Sequence, residues 1–74
     1  MFKTLVLEVF GIDESEFSDD KTPEDVENWT SVTHMELMGK FEETFNIELD
    51  VEDITEMDSF ENMCTILKKY GVDL

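Results

Sequence analysis

The apolar residues of this chain recur at the spacing of a helix and nowhere at the spacing of a strand. Phe2, Leu5, Val6, Val9 and Phe10 fall at i, i+3, i+4, i+7 and i+8, which draws one continuous stripe along a helical surface. Phe60, Met63, Cys64, Leu67 and Tyr70 repeat that spacing near the other end. In the middle, His34, Leu37, Met38, Phe41 and Phe45 share one sector of a helix wound at about 100° per residue. No segment alternates apolar and polar side chains convincingly, so a sheet has no candidate strand. The pattern predicts an all-α fold, a small antiparallel bundle of three main helices plus one short helix, in a single domain over residues 1–74.

The breaks between stripes are marked by residues with known terminating chemistry. Gly11 can take positive φ without a Cβ clash and stops the first helix. Residues 12–28 are polar and acidic with isolated apolar side chains at Ile12, Phe17 and Val26, so they read as a loop pinned to the core. Thr22-Pro23 predicts a short helical turn within it. The second helix runs from Ser31 to Phe45, with Thr30 or Ser31 as its N-cap and Asn46 at its end. A short helix over Val51–Glu56 is expected to be capped by Asp50, with Asp53 completing a weak capping box. Asp58 and Glu61 form the expected capping pair of the last helix. Lys68 and Lys69 suit the negative end of its dipole, and Gly71 ends it.

Composition narrows the function. With 20 acidic residues against five basic ones, a formal charge of −15 excludes phosphate-backbone recognition, which needs a basic face. It equally disfavours docking on anionic lipid, and no apolar run approaches the roughly 20 residues of a membrane span. Cys64 is the only cysteine, so no internal disulfide forms. No signal-peptide pattern follows Met1, which points to a cytoplasmic protein, expected to be a monomer. His34 and Cys64 fall on inward faces and lack the companions that a metal or nucleophilic site requires, so both read as structural. The acid-rich run from Asp13 to Asp20 lacks the order of an EF-hand loop. With no nucleophile–base arrangement and no phosphate-binding glycine loop, nothing marks an enzyme.

The second helix is the informative segment. Opposite its core sector lie Val32, Met35, Glu36, Gly39 and Glu43, an apolar pair rimmed by acids on a face expected to meet water. Such a patch either marks a protein contact, the favoured reading, or is the ordinary exposure of two apolar side chains. Ser31 stands at the N-terminus of this helix, where it either caps the backbone or carries an anionic ester that the dipole and free N–H groups favour.

The run Trp29-Thr30-Ser31-Val32-Thr33-His34-Met35-Glu36-Leu37, continued through Glu42-Glu43-Thr44-Phe45-Asn46-Ile47-Glu48, resembles the attachment segment of acyl carrier proteins. In that family an Asp-Ser-Leu motif opens the second helix, and acids and a Phe follow at this distance. Chain length, acidity, the long first loop and helix order agree as well. The resemblance implies that Ser31 takes a 4′-phosphopantetheine arm from coenzyme A through a phosphopantetheinyl transferase. It implies that Glu36, Glu42 and Glu43, with Val32 and Met35, meet basic docking patches on acyl-transferring, synthase or ligase enzymes of lipid metabolism. Leu37, Phe41 and Phe45 would line the interior that shelters an acyl chain.

Two positions depart from the motif. Thr30 stands where the family has Asp, which keeps a capping group but removes a negative charge beside Ser31. Val32 stands for Leu, a milder change. The Glu27-Asn28-Trp29 run also differs from the Leu-Gly-containing loop of housekeeping fatty-acid carriers and favours a specialised, stand-alone carrier. The alternative is an acidic interaction adaptor with the carrier fold and no prosthetic group.

Overall fold

The first stripe folds as α1, Phe2–Phe10, and buries Phe2, Leu5, Val6 and Phe10. A computed structural model describes all 74 residues. It continues with α2 (Ser31–Phe45), α3 (Val51–Glu56) and α4 (Phe60–Lys69), with a single 3-10 turn at Glu14–Glu16 and no strand. The all-helical expectation holds, three longer helices plus one short one, in a body of 27 × 21 × 19 Å.

All three longer helices end in the same way. Gly11, Asn46 and Gly71 take φ of 65°, 55° and 88°, the left-handed conformation that turns the chain away from the helix axis. The next residue then donates its N–H back across the last turn: Ile12 to Leu7 O, Ile47 to Glu42 O and Val72 to Leu67 O. Ile12, Ile47 and Val72 also pack against the core, the apolar contact that accompanies this termination.

Fifteen apolar residues form one core. Val6, Leu37, Phe41, Phe60, Met63 and Leu67 have no solvent exposure at all, and a large apolar side chain buried this way contributes about 1.5–3 kcal/mol. Phe2 stacks on Phe41 at 5.6 Å and joins α1 to α2. A second aromatic group centres on Phe60, whose ring stacks on Phe17 at 4.9 Å and on Trp29 at 5.2 Å. Phe10 stacks on Trp29 in turn, at 5.1 Å. Val26 is buried and Ile12 and Phe17 are packed on the core, so the long loop is anchored at the three expected positions. Trp29, just before α2, is buried as well and adds a fourth anchor.

The loop is held by backbone as well. Phe60 N–H donates to Lys21 O and Glu61 N–H to Asp19 O, so loop carbonyls satisfy the first two free N–H groups of α4. Ser59, one residue later than the expected Asp58, is the actual N-cap, and its hydroxyl accepts from Asn62 N–H at 3.0 Å. Asp58 instead accepts from the Asn62 side chain, and Glu61 makes no capping bond because the loop already occupies that end of the helix. At Thr22-Pro23 the chain forms a single turn, closed by Val26 N–H on Thr22 O.

The expected capping box of α3 does not form. Asp53 turns away from the helix start and is buried, accepting from Lys69 Nζ at 2.7 Å and from the Tyr70 hydroxyl. Asp50 caps with no side-chain bond, and its N–H donates to the Tyr70 oxygen at 2.9 Å. The competing partners lie on α4 and at its end, which sequence spacing alone does not bring into view.

Candidate functional site

The N-terminus of α2 differs from that of α4. Thr30 is its N-cap, and the Thr30 hydroxyl accepts from Thr33 N–H at 3.3 Å. Thr33 returns the bond, accepting from Thr30 N–H at 2.8 Å and donating to Asn28 O at 2.5 Å. A threonine pair thus does what a Ser and a Glu do in the usual capping box. Thr30 therefore caps the helix, and Ser31 is left exposed as its first residue. No protein group receives the Ser31 and Val32 N–H groups, so the open end of a 15-residue helix lies beside a free hydroxyl.

A groove of about 400 Å³ begins at Ser31. Trp29, His34, Met35, Ile54 and Met57 line it, together with Pro23 of the long loop. One wall is thus the start of α2 with the Trp29-Thr30 pair before it. The other is the second half of α3 with the Met57-Asp58 pair after it.

The exposed face of α2 runs away from this groove. Val32 is 66 % exposed and Met35 55 %, and Glu36, Gly39 and Glu43 face solvent with them. Nothing lies within 4 Å of where a Cβ on Gly39 would stand, so that glycine leaves the face low without being forced by neighbours. Glu42 is placed differently from the other two acids. It is half-buried, and its carboxylate accepts the Leu49 N–H at 2.9 Å, holding the loop after α2.

Leu37 and Phe41 are wholly enclosed in the packed core. Phe45 is half-buried at the far end of α2, where it lines a separate cavity with Ile47, Tyr70 and Val72. None of the three lines the groove beside Ser31. Cys64 is half-buried on α4, and burial, with Asp19 nearby, pushes its thiol up. No three His, Cys, Asp or Glu side chains are grouped to hold a metal ion.

The roles of Thr33 and Trp29, and the α3 wall of the groove, are not apparent from periodicity. Thr33 carries a local signal, because a hydroxyl three residues after a capping threonine can close the box. Trp29 carries one too, since a buried indole N–H needs an acceptor and His34 stands five residues on.

A family model described as the phosphopantetheine attachment site matches residues 2–67, nearly the whole chain. The chain belongs to this phosphopantetheine-carrying family. No curated protein and no solved structure gives a significant match. Carriers of this family bear 4′-phosphopantetheine covalently, and the acyl-carrier resemblance read from residues 29–48 falls within the matched span.

The residues of this carrier fit the group. An anionic phosphodiester suits a helix end where Thr30 satisfies the Thr33 N–H but the Ser31 and Val32 N–H groups stay free, and the adjoining groove is lined by Trp29, Met35, Ile54 and Met57 beside the uncharged length of the arm. When bound, the group would supply a terminal thiol on a flexible arm. The protein contributes an exposed serine hydroxyl at the start of α2, a groove beside it and a solvent-facing side of the same helix. No helix of the carrier is long and apolar enough to cross a membrane.

Proposed function

We propose that this carrier holds acyl intermediates as thioesters on 4′-phosphopantetheine attached through Ser31 Oγ, and presents them to the enzymes of one pathway in the cytoplasm. The observation that carries this reading is the exposed Ser31 hydroxyl at the open N-terminus of α2, inside the span that the family matches. The Thr30–Thr33 pair supports it, because it occupies the capping role and leaves Ser31 free for another one.

The partners are a phosphopantetheinyl transferase and acyl-transferring, synthase or ligase enzymes with basic patches. Glu36 and Glu43 present charge beside apolar Val32 and Met35, a mixed surface suited to brief encounters. Glu42 supports that face from behind by fixing the loop after α2. Between Lys40 and Lys68 no residue is basic, so the acidic field is unbroken along that stretch. Such a field speeds association with a basic partner and fades as salt rises. The carrier itself catalyses nothing in this reading; chemistry belongs to the enzymes it visits. Leu37 and Phe41, packed as they are, can receive an acyl chain only by moving apart, whereas the groove at Ser31 is already open.

Intact-mass spectrometry after incubation with a promiscuous transferase and coenzyme A tests the proposal. The expected result is a gain of one phosphopantetheine in the wild type and none in Ser31→Ala. No gain in either the wild type or Thr30→Asp overturns it. That outcome, with partner binding retained by Ser31→Ala, selects the adaptor reading, which the absence of an acid at position 30 favours.

A further inference from the structure

α3 is held mainly from outside itself. It has six residues, and its one buried side chain is that of Asp53, which faces α4. On the other side, towards α2, the polar contact that holds it is made by His34.

His34 lies one helical turn after Ser31, on the same side of α2. Its ring is nearly parallel to that of Trp29, at 6.2 Å and 12°. Trp29 Nε1–H approaches His34 Nδ1 at 3.0 Å. An indole N–H can only donate, so Nδ1 is the acceptor and the imidazole proton sits on Nε2. Nε2–H then donates to the Ile54 carbonyl of α3 at 2.8 Å. That carbonyl otherwise receives only a long 3.4 Å bond from Met57 N–H. Both ring nitrogens are thereby committed, and one side chain joins the residue pair before α2, α2 itself and α3. These are the walls of the groove that begins at Ser31.

We propose that His34 is a positioning residue of the carrier: Trp29 fixes it as the Nε2–H tautomer, and it clasps α3 to α2 so that the groove beside Ser31 keeps its width. The identity of the groove's occupant rests on the reading of Ser31 as attachment residue. The clasp does not, and is tested in the unmodified chain. An aliphatic side chain at position 34 fills similar space but leaves both the indole N–H and the Ile54 carbonyl without their partner. Glutamine keeps a donor at the reach of Nε2.

The test combines two NMR measurements. The ¹⁵N shifts of the His34 ring report the tautomer, and amide hydrogen exchange reports the opening of α3. The expected signature is a pyridine-like Nδ1 and a pyrrole-like Nε2 in the wild type. Trp29→Phe, which keeps a stacked ring without the donor, shifts the ring toward a mixture of tautomers. His34→Leu raises exchange at Ile54 and the rest of α3 by roughly tenfold, the scale of one lost part-buried hydrogen bond, with α1 unaffected. His34→Gln recovers most of that protection. A wild-type ring with its proton on Nδ1 overturns the proposal, and so does equal loss in His34→Leu and His34→Gln spread over all four helices. If His34→Leu does not fold, the wild-type tautomer and Trp29→Phe decide. Failure of Ser31 to accept the prosthetic group strikes the attachment reading alone and leaves these results to judge the clasp.

Discussion

Thr30 caps α2 beside the exposed Ser31, and its replacement gives a prediction with a magnitude. Thr30→Ala removes the acceptor for Thr33 N–H but keeps the reciprocal bond, which runs from the backbone N–H of residue 30 to the Thr33 hydroxyl. Losing one capping acceptor costs about 1 kcal/mol. A domain of this length has a total stability of about 4–11 kcal/mol at the usual 0.05–0.15 kcal/mol per residue. Thr30→Ala is therefore expected to lower the melting temperature by about 4–8 °C. Thr30→Asp keeps the acceptor and adds a negative charge where the helix dipole welcomes one, a gain of about 0.3–1 kcal/mol at low ionic strength. The net charge of −15 opposes that gain through repulsion, so Thr30→Asp is expected to unfold no earlier than the wild type. Urea unfolding followed by circular dichroism measures both, and the transferase assay on the same samples is expected to show a higher kcat/KM for Thr30→Asp. A Thr30→Ala midpoint equal to the wild type would refute the capping argument. So would a Thr30→Asp midpoint as low as that of Thr30→Ala.

Further predictions concern the scaffold. Asp53 is held below the ordinary carboxylate range by hydrogen bonds from Lys69 and then Tyr70, while its bonds raise the Lys69 and Tyr70 values. The depressed carboxylate stabilises the fold above about pH 4 and loses its contribution as pH falls through its folded value; the two raised groups contribute below about pH 10 and lose it as pH rises. The melting-temperature gap between wild type and Asp53→Asn is thus expected to be flat across neutral pH and to narrow at both extremes. Ionic strength is expected to stabilise the chain: the screening length falls from about 30 Å at 10 mM to about 8 Å at 150 mM salt. The first exceeds the molecule's longest extent of 27 Å and the second is well inside it, so a melting temperature insensitive to this change contradicts the repulsion argument. Phe60→Leu removes the stacks on Phe10, Phe17 and Trp29 and is expected to cost about 1.5–4.5 kcal/mol in denaturant unfolding, since each aromatic pair is worth about 0.5–1.5 kcal/mol.

Local chemistry explains which features are legible in the sequence. The limits of α2 follow from Thr30 before it and Asn46 after it, and its two faces follow from 3.6-residue spacing, so Leu37 inside and Val32 outside are both accessible. The ends of the helices are legible for the same reason, because Gly11, Asn46 and Gly71 act on their own neighbours. Spacing cannot show a partner contributed by a distant element. Asp53 has the position of a capping residue, but Lys69 and Tyr70 claim it from 16 and 17 residues away. Asp58 loses its expected role because loop carbonyls reach α4 from Asp19 and Lys21. The site divides along the same line: Ser31 is readable from its position on one helix, whereas the groove needs α3 folded back across His34.

Four serines could in principle bear a group: Ser15, Ser18, Ser31 and Ser59. Ser18 donates to Asp20 and Ser59 caps α4, whereas Ser31 alone begins an α-helix with its hydroxyl exposed. Peptide mapping by tandem mass spectrometry of the protein purified from its source cells tests the attachment directly. The expected result is 4′-phosphopantetheine on the peptide containing Ser31, at that oxygen. An unmodified Ser31 peptide, or the group on any of the other three serines, would contradict it.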